Sequence, residues 1–164
     1  MIDEQSDVVG RDEQRIARII HAPADAIYQA ITEPSLLVRW QTPGEMTARI
    51  EPFADGSGYW MILRYPDTEA NGIGKSGEHE DRYSARYLER DPLRKVVQAI
   101  AFETDDPAFA GEMTMTIDLV SVDDGTEVAI AYRNLPSGIR PEDNELGTRL
   151  SLEKLAALVE DGRE

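Results

Sequence analysis

The residues able to do chemistry are few, and most sit in contexts that give them plainer work. His21 and His79 are the only histidines, and there is no cysteine. Thiolate chemistry and disulfides are therefore excluded. His21 ends a β-branched run just before Ala22-Pro23, where an imidazole faces solvent or caps. His79 lies in Glu78-His79-Glu80-Asp81. Carboxylates beside an imidazole can hold a divalent ion, but metal sites draw ligands from separate elements or at helical spacing. A contiguous loop does neither, so no metal and no cofactor is expected. A serine nucleophile needs a sharp turn with a histidine in reach. No Gly-x-Ser-x-Gly occurs, and Gly56-Ser57-Gly58 reads as a turn. Gly72-Ile73-Gly74-Lys75-Ser76 lacks the first glycine of a P-loop and follows no strand, so it reads as loop.

More informative are polar residues that share a period-two face with apolar ones. Arg64 follows Trp60 and Ile62, Arg18 lies between Ile16 and Ile20, Gln98 between Val96 and Ile100, and Tyr132 follows Val128 and Ile130. An inward polar group must be paired or hydrated, and pockets use such groups to orient the polar end of a ligand. The competing reading has strand twist carry Arg64 and Arg18 to the rim, where they meet some of the 32 acidic residues. Trp40 and Trp60 either pack the core or line a ligand space. Met113 and Met115 suit irregular partners.

The elements that must position these residues follow from periodicity. Arg15 to His21 reads as a first strand, and Pro23 and Asp25 open a short helix carrying Ile27, Tyr28 and Ile31. Thr32-Glu33-Pro34 starts a second helix bearing Leu36, Leu37 and Trp40, ended by Pro43-Gly44. Strands are predicted from Met46 to Phe53 and from Gly58 to Tyr65, the latter with Trp60, Ile62 and Arg64 on one face and Tyr59, Met61 and Leu63 on the other. Pro66 to Asp81 is a polar, glycine-bearing segment expected to be a mobile loop. Arg82 to Arg90, Lys95 to Glu103, Met113 to Leu119 and Val128 to Tyr132 complete the strands, with a hairpin turn at Asp123-Asp124-Gly125. Pro141-Glu142-Asp143 opens a long helix with Leu152, Leu155, Leu158 and Val159 on its apolar stripe, ending near Asp161-Gly162. An antiparallel meander with one long amphipathic helix makes an α+β domain of two layers.

Composition bounds the partners. The 164 residues suit one domain, expected over 13–162, with residues 1–12 fraying as a flexible segment. A formal charge of −15 repels phosphate backbones and anionic bilayers, so neither nucleic acid nor membrane insertion is expected. No apolar run approaches the roughly 20 residues that span a bilayer, and the first residues lack the apolar core of a signal peptide. A cytoplasmic monomer or homodimer is expected.

Several segments, taken in order, resemble one family. They are Arg18-Ile19-Ile20-His21-Ala22-Pro23, Thr32-Glu33-Pro34, Leu37-Val38-Arg39-Trp40, Gly111-Glu112-Met113-Thr114-Met115-Thr116, Gly125-Thr126-Glu127-Val128, and Asn144-Glu145-Leu146-Gly147 followed by Ser151-Leu152-Glu153-Lys154-Leu155-Ala156. Together they resemble the heat-shock-protein-90 ATPase-activator-like branch of the START-like (SRPBCC) superfamily, from about Arg15 to Glu160. The resemblance implies a helix-grip fold, a curved antiparallel sheet of six or seven strands around the C-terminal helix, with a cavity between them. Members bind lipids, polyketides, hormones or other hydrophobic molecules, and some catalyse cyclisation or hydrolysis. Where many relatives carry a second tryptophan after the first this chain has Gln41, and where many carry Gly-Trp on the last helix it has Gly147-Thr148. Both swaps remove aromatic bulk near the expected cavity. The leading expectation is non-catalytic binding of a small hydrophobic or aromatic molecule, its cavity lined by Trp40, Trp60, Ile62, Ile100, Met115, Ile130, Thr148, Leu152 and Leu155, with polar contacts from Arg64, Gln98 or Tyr132. A cyclase- or hydrolase-type enzyme and a protein-interaction module such as a chaperone cofactor are the alternatives.

Overall fold

Eight strands and three helices follow one another in a computed structural model that describes residues 5–8, 13–42, 46–64 and 80–161. The strands are β1 (Gln5–Val8), β2 (Glu13–Ile20), β3 (Thr47–Pro52), β4 (Gly58–Arg64), β5 (Glu80–Asp91), β6 (Lys95–Phe102), β7 (Glu112–Val122) and β8 (Gly125–Arg133). Helices α1 (Ala24–Thr32) and α2 (Pro34–Gln41) fall between β2 and β3, and α3 (Pro141–Asp161) closes the chain. All neighbouring strands pair antiparallel in the order β1-β2-β8-β7-β6-β5-β4-β3. The sheet is curved, and the helices lie on its concave side.

Local sequence explains each element. Alternation in β7 buries Met113, Met115, Ile117 and Leu119 and leaves Thr114, Thr116 and Asp118 between them half-exposed. Pro34 occupies the first turn of α2, where its missing N–H costs nothing. Glu142 and Asp143 sit in the first turn of α3, complementing the positive end of its dipole. The stripe Leu152, Leu155, Ala156 and Val159 is buried against the sheet and the short helices. Asp91-Pro92-Leu93-Arg94 turns β5 into β6 with Leu93 at φ 69°, and a bulge between Tyr87 and Glu89 adjusts the register just before it.

Gln5–Val8, inside the segment expected to fray, pairs with β2 through Gln5–Ala17 to Val8–Gln14. Four residues carry no alternation that would mark a strand beforehand. The eighth strand this adds lies just beyond the expected six or seven. The Pro43-Gly44 stop, the Gly72–Ser76 motif and Glu78-His79 lie outside the described residues. No helix among the described residues is long and apolar enough to cross a membrane.

Candidate functional site

Register decides which face of β4 looks inward. Tyr59 pairs with Ala85, Met61 with Tyr83 and Leu63 with Asp81, and all three β4 residues join the hydrophobic core. Trp60, Ile62 and Arg64 therefore occupy the opposite, outer face. This corrects the expectation that they line the cavity. Trp60 lies under the Arg82 guanidinium, 5.3 Å from its ring, with Phe53 edge-on at 6.1 Å. Arg64 meets Glu80 at 3.5 Å on the surface, as the rim reading of its charge supposed. Ile62 is buried between the paired positions Arg49 and Arg82.

The gap between the concave sheet and α3 has two unlike ends. At one end Ile16, Ile20, Val128 and Leu155 are each 0% accessible, with Ile27 and Ile31 of α1 packed over them. Ile130, Leu152 and Leu155 thus belong to a filled region. At the other end some of the inward residues keep slight access, although Met61 and Ala85 are 0% exposed. Met115 is 7% exposed, Leu63 and Tyr132 are 9%, and Tyr83 and Phe102 are half-buried. These lie where β4, β6 and β8 finish, where β5 and β7 begin, and beside the first half of α3. The α3 backbone runs close to β2, α1 and α2 and stands off from the middle strands.

The rim of this open end is made by loops. A 3-10 turn at Pro107–Phe109 is capped by the Asp106 carboxylate, which accepts from the Ala108 amide at 2.9 Å. Gly138 donates to the Ala108 carbonyl at 2.6 Å, and a Cβ there would meet the Phe109 ring at 2.8 Å. Phe109 stacks edge-on with Phe102 at 6.4 Å, and Phe102 with Tyr83 at 5.9 Å. An aromatic file thus runs from the rim inward.

Polar groups converge on the same space. The Gln98 amide donates to the Tyr59 hydroxyl at 3.1 Å, leaving the phenol proton for another acceptor. Thr148 Oγ1 donates to the Asn144 carbonyl at 2.7 Å, so its contact with the Tyr132 hydroxyl at 3.0 Å has tyrosine as donor. Tyr83 reaches the Gln41 side-chain oxygen at a long 3.4 Å. Gln41 and Thr148 are therefore the partners of two inward tyrosines. Asp81, 3% exposed, lies on the same inner face two residues before Tyr83. Burial pushes the Tyr59, Tyr83 and Tyr132 hydroxyls up from 10, and for Tyr83 the neighbouring Tyr59 and Tyr132 push further. All three are neutral phenols at physiological pH, able to donate and accept but not to act as anionic bases.

Of the twelve residues expected to bind, Gln98, Ile100, Met115, Tyr132 and Thr148 face this open end. Trp40 lies elsewhere, with its indole N–H on the Ala30 carbonyl at 2.9 Å, tying α2 to α1. Tyr59 and Tyr83 had no expected role in the site, and Asp81, expected at the end of a mobile loop, instead lies in β5. The signal for Tyr59 was present in its alternation with Met61 and Leu63, and only the choice of face was missing.

A family model described as "Activator of Hsp90 ATPase homolog 1-like protein" matches residues 21–160. No curated protein matches the chain. A crystal structure of a protein from Chromobacterium violaceum superposes with a TM-score of 0.76 at 28% identity, covering 91% of this chain and 97% of that one. A solution structure from Arthrobacter aurescens gives a TM-score of 0.75 at 16% identity, over 98% of this chain and 92% of that one. The AHSA1-like protein from Aeromonas hydrophila gives 0.65 at 14%, over 92% and 93%. The last two likenesses concern the fold alone. With its model spanning most of the sequence, the chain belongs to the Activator of Hsp90 ATPase homolog 1-like family.

Proposed function

We propose that this protein binds one small apolar or aromatic molecule bearing a neutral oxygen at the open end of the sheet–helix gap. The observation that carries this reading is a graded contrast in packing along a single core, fully sealed at Ile16, Ile20 and Leu155, slightly exposed at Met115, Tyr132 and Leu63, and bordered by the half-buried Tyr83 and Phe102. A chain that needed only a core would fill both ends, because interiors pack to near-crystalline density. Met113, Met115, Ile100 and Phe102 supply an adaptable apolar wall. The Tyr59 proton and the long Tyr83–Gln41 contact offer hydrogen bonds to a ligand carbonyl or hydroxyl.

A thermal-shift series with fused-ring ketones, phenols and sterols tests this. At least one class raises the melting temperature, by up to about 2.7 kcal/mol of stabilisation at a hundredfold excess over Kd. Thr148→Trp, which puts an indole where the ligand would sit, abolishes the shift. No shift from any class, or an undiminished shift in Thr148→Trp, would sink the proposal.

A second reading rests on Asp81. A buried inward carboxylate beside Tyr83 is a candidate proton-transfer partner for a bound substrate. In that case the same ligand classes are turned over, and Asp81→Asn stops turnover while leaving their thermal shift in place.

A further inference from the structure

Outside the sheet–helix gap, α1, α2 and the outer flank of α3 enclose an open groove of about 960 Å³. That is within the range of sites that hold a small molecule. Its floor is apolar, with Ala26 and Ala30 of α1, Leu36 of α2 and Leu158 of α3, while Arg39 and Lys154 face it from α2 and α3. Among the described residues no acidic side chain lines it, although 32 of the 164 residues are acidic. Several other cations are matched by acids, as in Arg49–Glu51, Arg86–Glu112, Lys95–Asp118 and Arg133–Glu13. Among the described residues Arg39 makes no ion pair, and Lys154 donates to the Thr42 backbone carbonyl. Two cations without acid partners thus overlook an apolar trough in a chain of charge −15.

The floor also continues along α3. Leu146, Leu150, Lys154 and Leu158 recur every fourth residue, one helical row, and Leu146 and Leu150 are 59% and 48% exposed. From Leu146 to Leu158 this row spans roughly 18 Å.

We infer that this groove is a second binding site, separate from the sheet–helix gap, for one anionic amphiphile. Its carboxylate is held between Arg39 and Lys154, and its alkyl chain lies on the apolar floor and along the α3 row. Charge argues for a single small anion over a larger partner. A bilayer or an acidic protein meets the whole −15 field, whereas one carboxylate within a Debye length of about 8 Å answers mainly to the two cations beside it. The inference does not depend on the interior site being occupied.

Dodecanoate, kept below its micelle concentration, is the probe, with dodecanol as its neutral match. Protein labelled at alanine and methionine methyls separates the two sites. Ala26, Ala30 and Ala157 report the groove, whereas Met113 and Met115 report the interior. Dodecanoate is expected to shift the alanine methyls saturably. Its affinity falls at least tenfold in Arg39→Glu, whose unchanged melting temperature shows an intact fold, and dodecanol binds at least tenfold more weakly. Shifts confined to Met113 and Met115 overturn the groove assignment while leaving the interior reading standing. Equal binding of dodecanol, indifference to Arg39→Glu, absence of saturable shifts, or binding only to phosphatidylglycerol vesicles would each overturn it too.

Discussion

Gln98 and Tyr59 illustrate what a buried polar pair does in this core. Each is nearly inaccessible, and the amide satisfies the phenol at 3.1 Å. Removing one partner strands the other, at about 1–3 kcal/mol, whereas removing both can be close to neutral. Gln98→Leu is therefore expected to destabilise the protein by about 2 kcal/mol in denaturant titrations. Adding Tyr59→Phe should restore most of that loss, and additive single effects would show that the pair is not coupled. Arg64→Gln makes the complementary point. Its salt bridge with Glu80 is exposed and long, so stability should change by less than about 0.5 kcal/mol and ligand binding not at all. These outcomes also mark how far residues were legible beforehand. Alternation in Gly58 to Tyr65 sorted the side chains into two sets, but both sets are apolar, so nothing local said which faced the core. Pairing with β5, whose inner face carries Asp81, Tyr83 and Ala85, supplies the answer, and pairing is a long-range property.

At the scale of elements, the clean strands and helices were readable because each has one buried face. The β7 alternation and the α3 stripe are local signals, and the structure places both as the pattern implied. Close backbone approach is not readable in that way. A Cβ on Gly58 would come within 2.2 Å of the Ala85 carbonyl oxygen, and one on Gly125 within 2.2 Å of that of Ile20. Gly58→Ala must push β4 off β5 and should cost about 3 kcal/mol of unfolding free energy. A cost below half of that would mean the strands yield easily. Leu93 works the other way. It holds φ at 69° with nearly half its surface exposed, a conformation that asparagine or glycine adopts with less strain and that Asn134 suits at φ 62°. Leu93→Gly should raise stability by up to about 1 kcal/mol, and a lower melting temperature would contradict the strain.

Over the whole molecule, the inward tyrosines make stability fall at high pH. In the unfolded chain their hydroxyls titrate near 10, while in the fold burial raises those of Tyr59, Tyr83 and Tyr132. Above pH 10 the unfolded state releases protons that the folded state retains, so stability is full below that point and falls as pH rises. The slope is about 1.4 kcal/mol per pH unit for each such tyrosine. Urea titrations between pH 8 and 11 should show this loss, shallower in Tyr132→Phe, and a flat profile would contradict it. Fold class was legible from the order and period of elements. The two-ended character of the core was not, because whether a gap is filled depends on the summed volumes of side chains from several strands and one helix. Gln41 and Thr148 hinted at spare room, yet each turns out to hold a tyrosine hydroxyl, so the space they leave is polar-edged as well as apolar.

Room for a guest is what the binding account most needs, and a crystal of the unliganded protein under xenon pressure measures it directly. Apolar cavities bind xenon whereas filled cores do not. The account predicts a xenon atom between Met115, Ile100 and Tyr132 and none beside Ile16, Ile20 or Leu155. Xenon absent from the whole space between sheet and α3 would contradict it.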